Sequence, residues 1–286
     1  MAPLPKELRA LGLIDVHCHL TFKGLRERVD EVVEESKNYL KAIITCGFPF
    51  EASEGERRGL TDTGFRSALK ALSLARKYKG YVFVTLGLHP VQAVMMNRKE
   101  VEEYMDFIKE HKGEIVGIGE IGLDRHWIKD EGKFSWSREV FEEMLSLAEE
   151  LRKPVVLHLR KAEGEGFRIV SRTNLSKVLF HSFAGSMTVA KEVVEAGYYF
   201  SLNTRIATIK NAKKIARRAP LHLILTETDS PFLSPTNDPV NRPLNVRVVV
   251  EEIAKLRGLT FEEVDLTTTE NAIRFFGLPL TLEEGP

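Results

Sequence analysis

Apolar, β-branched runs alternate with amphipathic stretches along nearly the whole chain. Eight runs read as strands: residues 13–19, 42–47, 81–88, 115–121, 154–159, 177–181, 198–202 and 221–226. They are continuous rather than strictly alternating, as expected of strands covered on both faces of a parallel sheet. Helical periodicity follows at 28–39, 62–78, 99–111, 137–151, 166–171, 188–196, 208–218 and 244–256. Ser137 predicts a capped helix start, and Gly80, Gly113 and Gly197 stand just past helix ends. Eight strand-then-helix units predict an α/β chain folded as one (β/α)8 TIM barrel. Residues 260–277 predict one or two short extra helices at the C-terminal end. An open doubly wound sheet is the alternative. Its first strand usually leads into a Gly-rich phosphate turn, where this chain has Asp15-Val16-His17-Cys18-His19. Two long loops, 48–61 and 230–243, fall on the catalytic face of such a barrel.

Composition adds limits. The chain has 286 residues, 41 basic and 41 acidic side chains, so its formal net charge is zero. That balance argues against a sequence-wide electrostatic grip on nucleic acid, while leaving room for a local basic mouth. The two cysteines, Cys18 and Cys46, form no disulfide framework and suit a reducing setting. The first ten residues lack the apolar core of a leader, and no run reaches about 18 apolar residues. A cytoplasmic protein with no membrane partner is the expectation.

The polar residues at the ends of the apolar runs carry the chemistry. His17 and His19 end strand one, His89 strand three, Glu120 strand four, His158 strand five and His181 strand six. Asp229 lies just past strand eight. In a (β/α)8 barrel these ends converge on one face, where the active sites of this fold sit. His17 and His19 are two apart and so face one way along a strand. Cys18 between them should point the other way, into packing. Four imidazoles and two carboxylates exceed what one divalent ion needs. They suggest two ions about 3.5–4 Å apart, bridged by a carboxylate. Nitrogen-rich donor sets favour Zn²⁺ or Mn²⁺ over Mg²⁺. Asp229 would hold the attacking water and take its proton, with Asp15 supporting the histidines from behind. His111 reads as a helix-end cation and His222 as a residue of the opposite, stabilising face. His126 has no assigned role.

Six segments, in order, resemble the TatD-type deoxyribonuclease family of the metal-dependent amidohydrolase superfamily. Ile14-Asp15-Val16-His17-Cys18-His19-Leu20 resembles its opening His-x-His strand. Gly87-Leu88-His89-Pro90 is similar to its Gly-x-His-Pro turn, and Gly119-Glu120-Ile121-Gly122-Leu123-Asp124 to its Gly-Glu-x-Gly-Leu-Asp motif. Pro154 to Arg160 resembles the Pro-x-x-x-His-x-Arg strand. His181-Ser182-Phe183-Ala184-Gly185-Ser186 resembles the His-x-Phe-x-Gly end, and Glu227-Thr228-Asp229-Ser230-Pro231-Phe232 the Glu-Thr-Asp-x-Pro signature. The resemblance implies a two-metal barrel that hydrolyses DNA, often 3′ to 5′ on single strands. It implies His17, His19 and Asp229 on one metal, His158 and His181 on the other, and Glu120 bridging. Asp229, Glu120 and His89 would be catalytic, with His89 on a substrate phosphate. Departures from the pattern, at Lys161, at 240–245 and in the insert 51–58, fall on the rim.

The rim offers phosphate partners in Arg57, Arg58, Arg125, Arg160, Lys161, Arg205 and Arg242. Of these Arg160, Arg205 and Arg242, with His89, are the expected substrate-binding residues. Trp127 or Phe232 would stack on a base. The competing reading is a hydrolase of a small ester, amide or lactone, or of the ester of a charged tRNA. The same metal site would serve it equally well. A barrel that has lost its metals and only binds is a third reading.

Overall fold

The computed structural model describes residues 12–50 and 64–282. The eight apolar runs become eight parallel strands: β1 (Ile14–Cys18), β2 (Ala42–Gly47), β3 (Val82–Leu86), β4 (Gly117–Asp124), β5 (Val155–Arg160), β6 (Val178–Phe180), β7 (Tyr199–Leu202) and β8 (Ile224–Thr226). Each strand pairs with the next in chain order. The Asp229 amide donates to the His17 carbonyl at 2.9 Å and the His19 amide to the Ser230 carbonyl at 2.7 Å. The last strand end is thereby joined to the first, as the expected (β/α)8 barrel requires.

The helices are α1 (Val29–Ser36), α2 (Arg66–Lys77), α3 (Pro90–Ala93), α4 (Arg98–Glu110), α5 (Glu131–Leu151), α6 (Glu163–Val170), α7 (Met187–Glu195), α8 (Lys210–Arg218), α9 (Val246–Arg257) and α10 (Phe261–Phe276). One helix starts earlier and one strand later than expected, and the C-terminal segment takes one of its two expected forms, each for a local reason. α5 starts six residues before Ser137, because Asp130 caps it by accepting from the Lys133 amide. Ser137 is buried inside the helix and donates back to the Phe134 carbonyl. β8 starts at Ile224, after a 3-10 turn (Leu221–Leu223) that holds His222. The 260–277 segment is one helix, opened by a Thr260–Glu263 capping box and closed by Gly277. The insert 51–58 with Arg57 and Arg58, and the expected helix start at 62, lie outside the described residues.

Two apolar layers follow from the strand faces. Outward side chains such as Ile43, Val84, Ile121, Leu157 and Phe200 pack under the helices. Inward ones, Ile14, Val16, Ala42, Ile44, Val156, Leu179 and Leu225, pack with Ala272, Phe275 and Phe276 of α10. α10 therefore closes the barrel at the end opposite the catalytic face. Its Asn271 donates to the Leu221 and Ile224 carbonyls, and Asp265 accepts from the Gly12 amide at 2.9 Å. Among the described residues no helix is long and apolar enough to cross a membrane.

Asp265 gives a pH dependence. Burial pushes its carboxyl up to about 6, against the pull of the Thr269 hydroxyl and Gly12 amide. A raised carboxyl makes the folded state hold a proton that the unfolded chain releases near pH 4. Stability from this group is complete below about pH 4 and is lost as pH rises through about 6. Asp265→Asn should remove that slope. Denaturant titrations at pH 4 and pH 7 should show the wild-type-minus-variant stability falling by roughly 2–3 kcal/mol. An unchanged difference would contradict the assignment.

Candidate metal centre

Strict alternation along β1 would not bring His17 to the barrel interior. Ile14 and Val16 face inward, yet Cys18 packs outward and its thiol lies 3.6 Å from the Ile44 carbonyl. The phase reverses because Asp15 to Cys18 pairs with Ile43 to Thr45, leaving one extra residue on β1. A bulge of this kind re-aims side chains. β4 carries a second one: Gly119 pairs with Val156 and Ile121 with Leu157, which leaves Glu120 unpaired. Ile118 and Ile121 both face outward, and Glu120 is turned inward between them.

Two glycines make room for the β4 bulge. A Cβ on Gly87 would sit 2.3 Å from the Gly119 carbonyl carbon and 2.4 Å from the Glu120 oxygen. One on Gly122, at φ +150°, would sit 2.0 Å from the His158 oxygen. Cys46, at the end of β2, clasps the same bulge. Its thiol donates to the Gly119 carbonyl and accepts from the Glu120 amide, both at 3.0 Å. No role was expected of Cys46, because inward-facing positions cannot be told from outward ones in a run of uniformly apolar residues.

Glu120 is the centre of the group. Its Oε1 lies 3.8 Å from His17 Nε2 and 3.8 Å from His19 Nε2. Its Oε2 lies 3.1 Å from His158 Nδ1 and 3.4 Å from His181 Nε2. Asp229 Oδ1 approaches His19 Nε2 at 3.2 Å and His17 Nε2 at 3.8 Å. All six residues expected to ligate metal thus meet at the strand ends. The ring centroids of His158 and His181 are 6.3 Å apart, and His158 also forms a possible donor group with His89 and Asp124.

Carboxylates behind the histidines fix their orientation, as is usual around metal-binding imidazoles. Asp124 Oδ2 lies 3.1 Å from His158 Nε2. Glu227 Oε2 lies 2.9 Å from His181 Nδ1 and also accepts from Ser201. Both acids stand inside motifs quoted above without a role. Asp124 lies four residues from Glu120, on the same face, and Glu227 two before Asp229; that parity was the available signal. Asp15 accepts from the Thr228 amide and hydroxyl and from the His17 amide. It ties β1 to the Asp229 loop rather than touching an imidazole. Burial pushes its carboxyl well up.

The protonation pattern follows from these partners. Burial works against the charged Glu120, but His158's hydrogen bond and the surrounding imidazoles hold its carboxyl well below the usual range. Burial would lower His181, yet Glu227 and Glu120 outweigh it and push it up to about 10. Burial, then the neighbouring His181, pull His17 well down. Neutral His17 Nε2 is buried without a hydrogen-bond partner. It lies too far from Glu120 and Asp229 for a hydrogen bond. The spacing instead matches neighbouring donors around one ion at about 2 Å each. A buried, orphaned imidazole nitrogen between two carboxylate oxygens fits a divalent cation.

His89 caps α3, its Nδ1 accepting from the Val91 amide at 3.2 Å. That bond leaves the ring proton on Nε2. Burial and His158 pull His89 down to about 3, so it is neutral. Its ring lies 4.2 Å from that of His158.

The rim cations divide. Arg160 is exposed, with its guanidinium 5.7 Å from the Trp127 ring. Arg205 is exposed and bonds Thr208. Arg242 is held by Glu35 at 3.0 Å and approaches Asp238 at 3.9 Å, and Arg125 by Glu131 at 2.5 Å. Trp127 and Phe232 are 62% and 49% exposed, more than packing residues would be. His111 Nδ1 lies 2.8 Å from the Phe107 carbonyl at the end of α4, and the His126 ring packs edge-on to Trp127.

The family model of TatD related DNase matches residues 14–277. A metal-dependent hydrolase of Methanocaldococcus jannaschii is 37% identical over 94% of this chain and 98% of its own. The human deoxyribonuclease TATDN3 is 33% identical, over 93% of this chain and 95% of its own. The crystal structure of the TatD homolog YJJV from Escherichia coli superposes with a TM-score of 0.80 at 24% identity, covering 93% of this chain and 98% of that one, a likeness of fold. With the family model spanning β1 to the end of α10, and relatives aligned over nearly their full length, the chain belongs to the TatD related DNase family.

Proposed function

We propose that this hydrolase is a deoxyribonuclease that shortens DNA strands from the 3′ end with two divalent cations. The division of the Glu120 carboxylate carries the reading. Oε1 faces His17 and His19, and Oε2 faces His158 and His181. Glu120 would bridge two ions, one completed by His17, His19 and Asp229, the other by His158 and His181. The imidazole-rich set favours Zn²⁺ or Mn²⁺ over Mg²⁺. When bound, such ions supply Lewis acidity to the phosphoryl group and to the attacking water.

The chain's own residues do the rest. The Asp229 side chain is 17% exposed against 5% for Glu120, so it is the carboxylate open to solvent. It would orient the water and accept its proton. His89 would donate Nε2–H to a non-bridging phosphate oxygen. Arg160 and Arg205 would meet flanking phosphates, and Arg242 would do so on leaving Glu35. Exposed Trp127 and Phe232 offer stacking faces for unpaired bases, worth roughly 1–3 kcal/mol each. The free, buried Cys18 and Cys46 suit the cytoplasm.

The test is a 5′-labelled single strand incubated with Mn²⁺ or Mg²⁺. A ladder shortening from the 3′ end, stopped by chelator and by a 3′ phosphorothioate, is expected. Cleavage of small esters or an aminoacyl-tRNA, with DNA untouched, would overturn the reading.

A further inference from the structure

The charge balance hides a sharp local imbalance. From residue 196 to 226 the chain has no Asp or Glu, yet it has Arg205, Lys210, Lys213, Lys214, Arg217 and Arg218. Five of these six belong to α8. At about 100° per residue, the buried Ala212, Ile215 and Ala216 lie on one side of that helix. The five cations fall within an arc of roughly 140° on the opposite side. None of them forms an ion pair with an acidic side chain among the described residues. By contrast Arg28, Lys37, Arg76, Lys77, Arg98 and Arg247 are each paired. Like charges at i,i+3 and i,i+4 repel. A helix that keeps five of them unneutralised stabilises itself poorly unless a polyanion binds there.

The position of α8 suggests which polyanion. The helix follows β7, so its first residue lies toward the catalytic face and its last toward the barrel's other end. The connecting loop is bonded to the loop that follows Asp229: the Thr204 hydroxyl reaches the Leu233 carbonyl and the Asn241 amide reaches Thr204. Arg205 and Lys210 therefore begin a positive track beside the metal centre, and Arg217 and Arg218 end it. Nine helical residues span about 13 Å. That length runs along several phosphates of a strand.

We infer that α8 is a backbone-binding track for the part of a nucleic-acid strand that has not yet reached the metal centre. The inference rests on the nuclease reading and makes the substrate a strand longer than the few nucleotides at the centre. Phosphates on the track would be held by charge alone, without sequence preference, and in competition with salt.

The test compares wild type with the triple variant Lys213→Gln, Lys214→Gln, Arg217→Gln. Arg217 is exposed, and Lys213 and Lys214 are half-buried on the side opposite Ala212, Ile215 and Ala216. Glutamine keeps most of their stems and relieves like-charge repulsion, so the fold should persist with a thermal midpoint at or slightly above that of wild type. Binding of a 24-nucleotide single strand should weaken about tenfold at low salt. The slope of log affinity against log salt should shrink by about 2, for three phosphates. The kcat on a dinucleotide should stay within twofold. Wild-type affinity should rise steeply between strands of 4 and 10 nucleotides. If the wild type cleaves both substrates and the variant binds the 24-mer equally well, the track is wrong and the nuclease reading stands. If the wild type neither binds nor cleaves DNA, both fall. Loss of binding to anionic vesicles but not to the 24-mer would assign the face to a membrane and overturn the inference.

Discussion

Replacing Glu120 by Ala should reduce cation-dependent hydrolysis at least about a thousandfold, the scale of losing a bridging ligand and its share of acid–base positioning. Glu120 approaches four imidazoles within 3.8 Å, two through each oxygen. Without it, no carboxylate among the described residues joins the His17–His19 side to the His158–His181 side. With Glu120 bridging two ions as proposed, metal content measured on the purified variant should fall by at least one equivalent relative to wild type. The fold should persist, because Asp124 and Glu227 still hold the buried His158 and His181 imidazoles. Taking one partner from these buried pairs does cost stability. The thermal midpoint in chelator should therefore fall modestly below that of wild type, with a single cooperative transition retained. Retained turnover with full metal content would refute the bridging assignment.

The second large effect is structural. Gly122→Ala should destabilise the protein by about 3–5 kcal/mol, because overpacking and a glycine-only backbone conformation add. The new Cβ would meet the backbone oxygen of His158 at 2.0 Å, and a backbone atom cannot swing aside as a flexible side chain can. β5 would have to move away from β4. His158 rides on β5 and is held to Glu120 and Asp124 at 3.1 Å on its two nitrogens, so metal binding should weaken as well. Differential scanning should show the midpoint lower by roughly 10 °C. Titration with Mn²⁺ should show the affinity loss at temperatures where the variant is folded. A variant as stable as wild type would mean that β4 and β5 pair differently from the register seen.

The glycine spacing was legible as a motif before its reason was. Gly119, Gly122 and Gly87 stand in quoted segments, but nothing in a linear chain says that 87 must leave room for 120. Likewise Asp124 and Glu227 could be quoted without a role. Their partners lie 34 and 46 residues away, and only folding brings a carboxylate to the back of a given imidazole. Arg242 was expected to meet substrate. Its neighbour Glu35, 207 residues earlier, neutralises it. Trp127, by contrast, keeps an exposed ring.

Helix boundaries show the same division at shorter range. Ser137 has the chemistry of a cap, yet Asp130 took that role because its carboxylate reaches the Lys133 amide first in the chain. The 260–277 segment was ambiguous between one helix and two. Packing of Ala272, Phe275 and Phe276 against the barrel interior favours one unbroken helix.

The amino-acid sequence by itself determined the order and number of the βα units and the placement of ionisable residues at strand ends. Period and spacing are local properties, and a barrel repeats them eight times. It also determined the charge run of α8, which no ion pair among the described residues neutralises. Tertiary structure alone decided which way those side chains point. Strands buried on both faces carry no alternation to read, and one extra residue in β1 and another in β4 reverses the face of everything after it. Those two bulges, held by close backbone approaches from neighbouring strands, turn a set of strand-end residues into a centre built around Glu120.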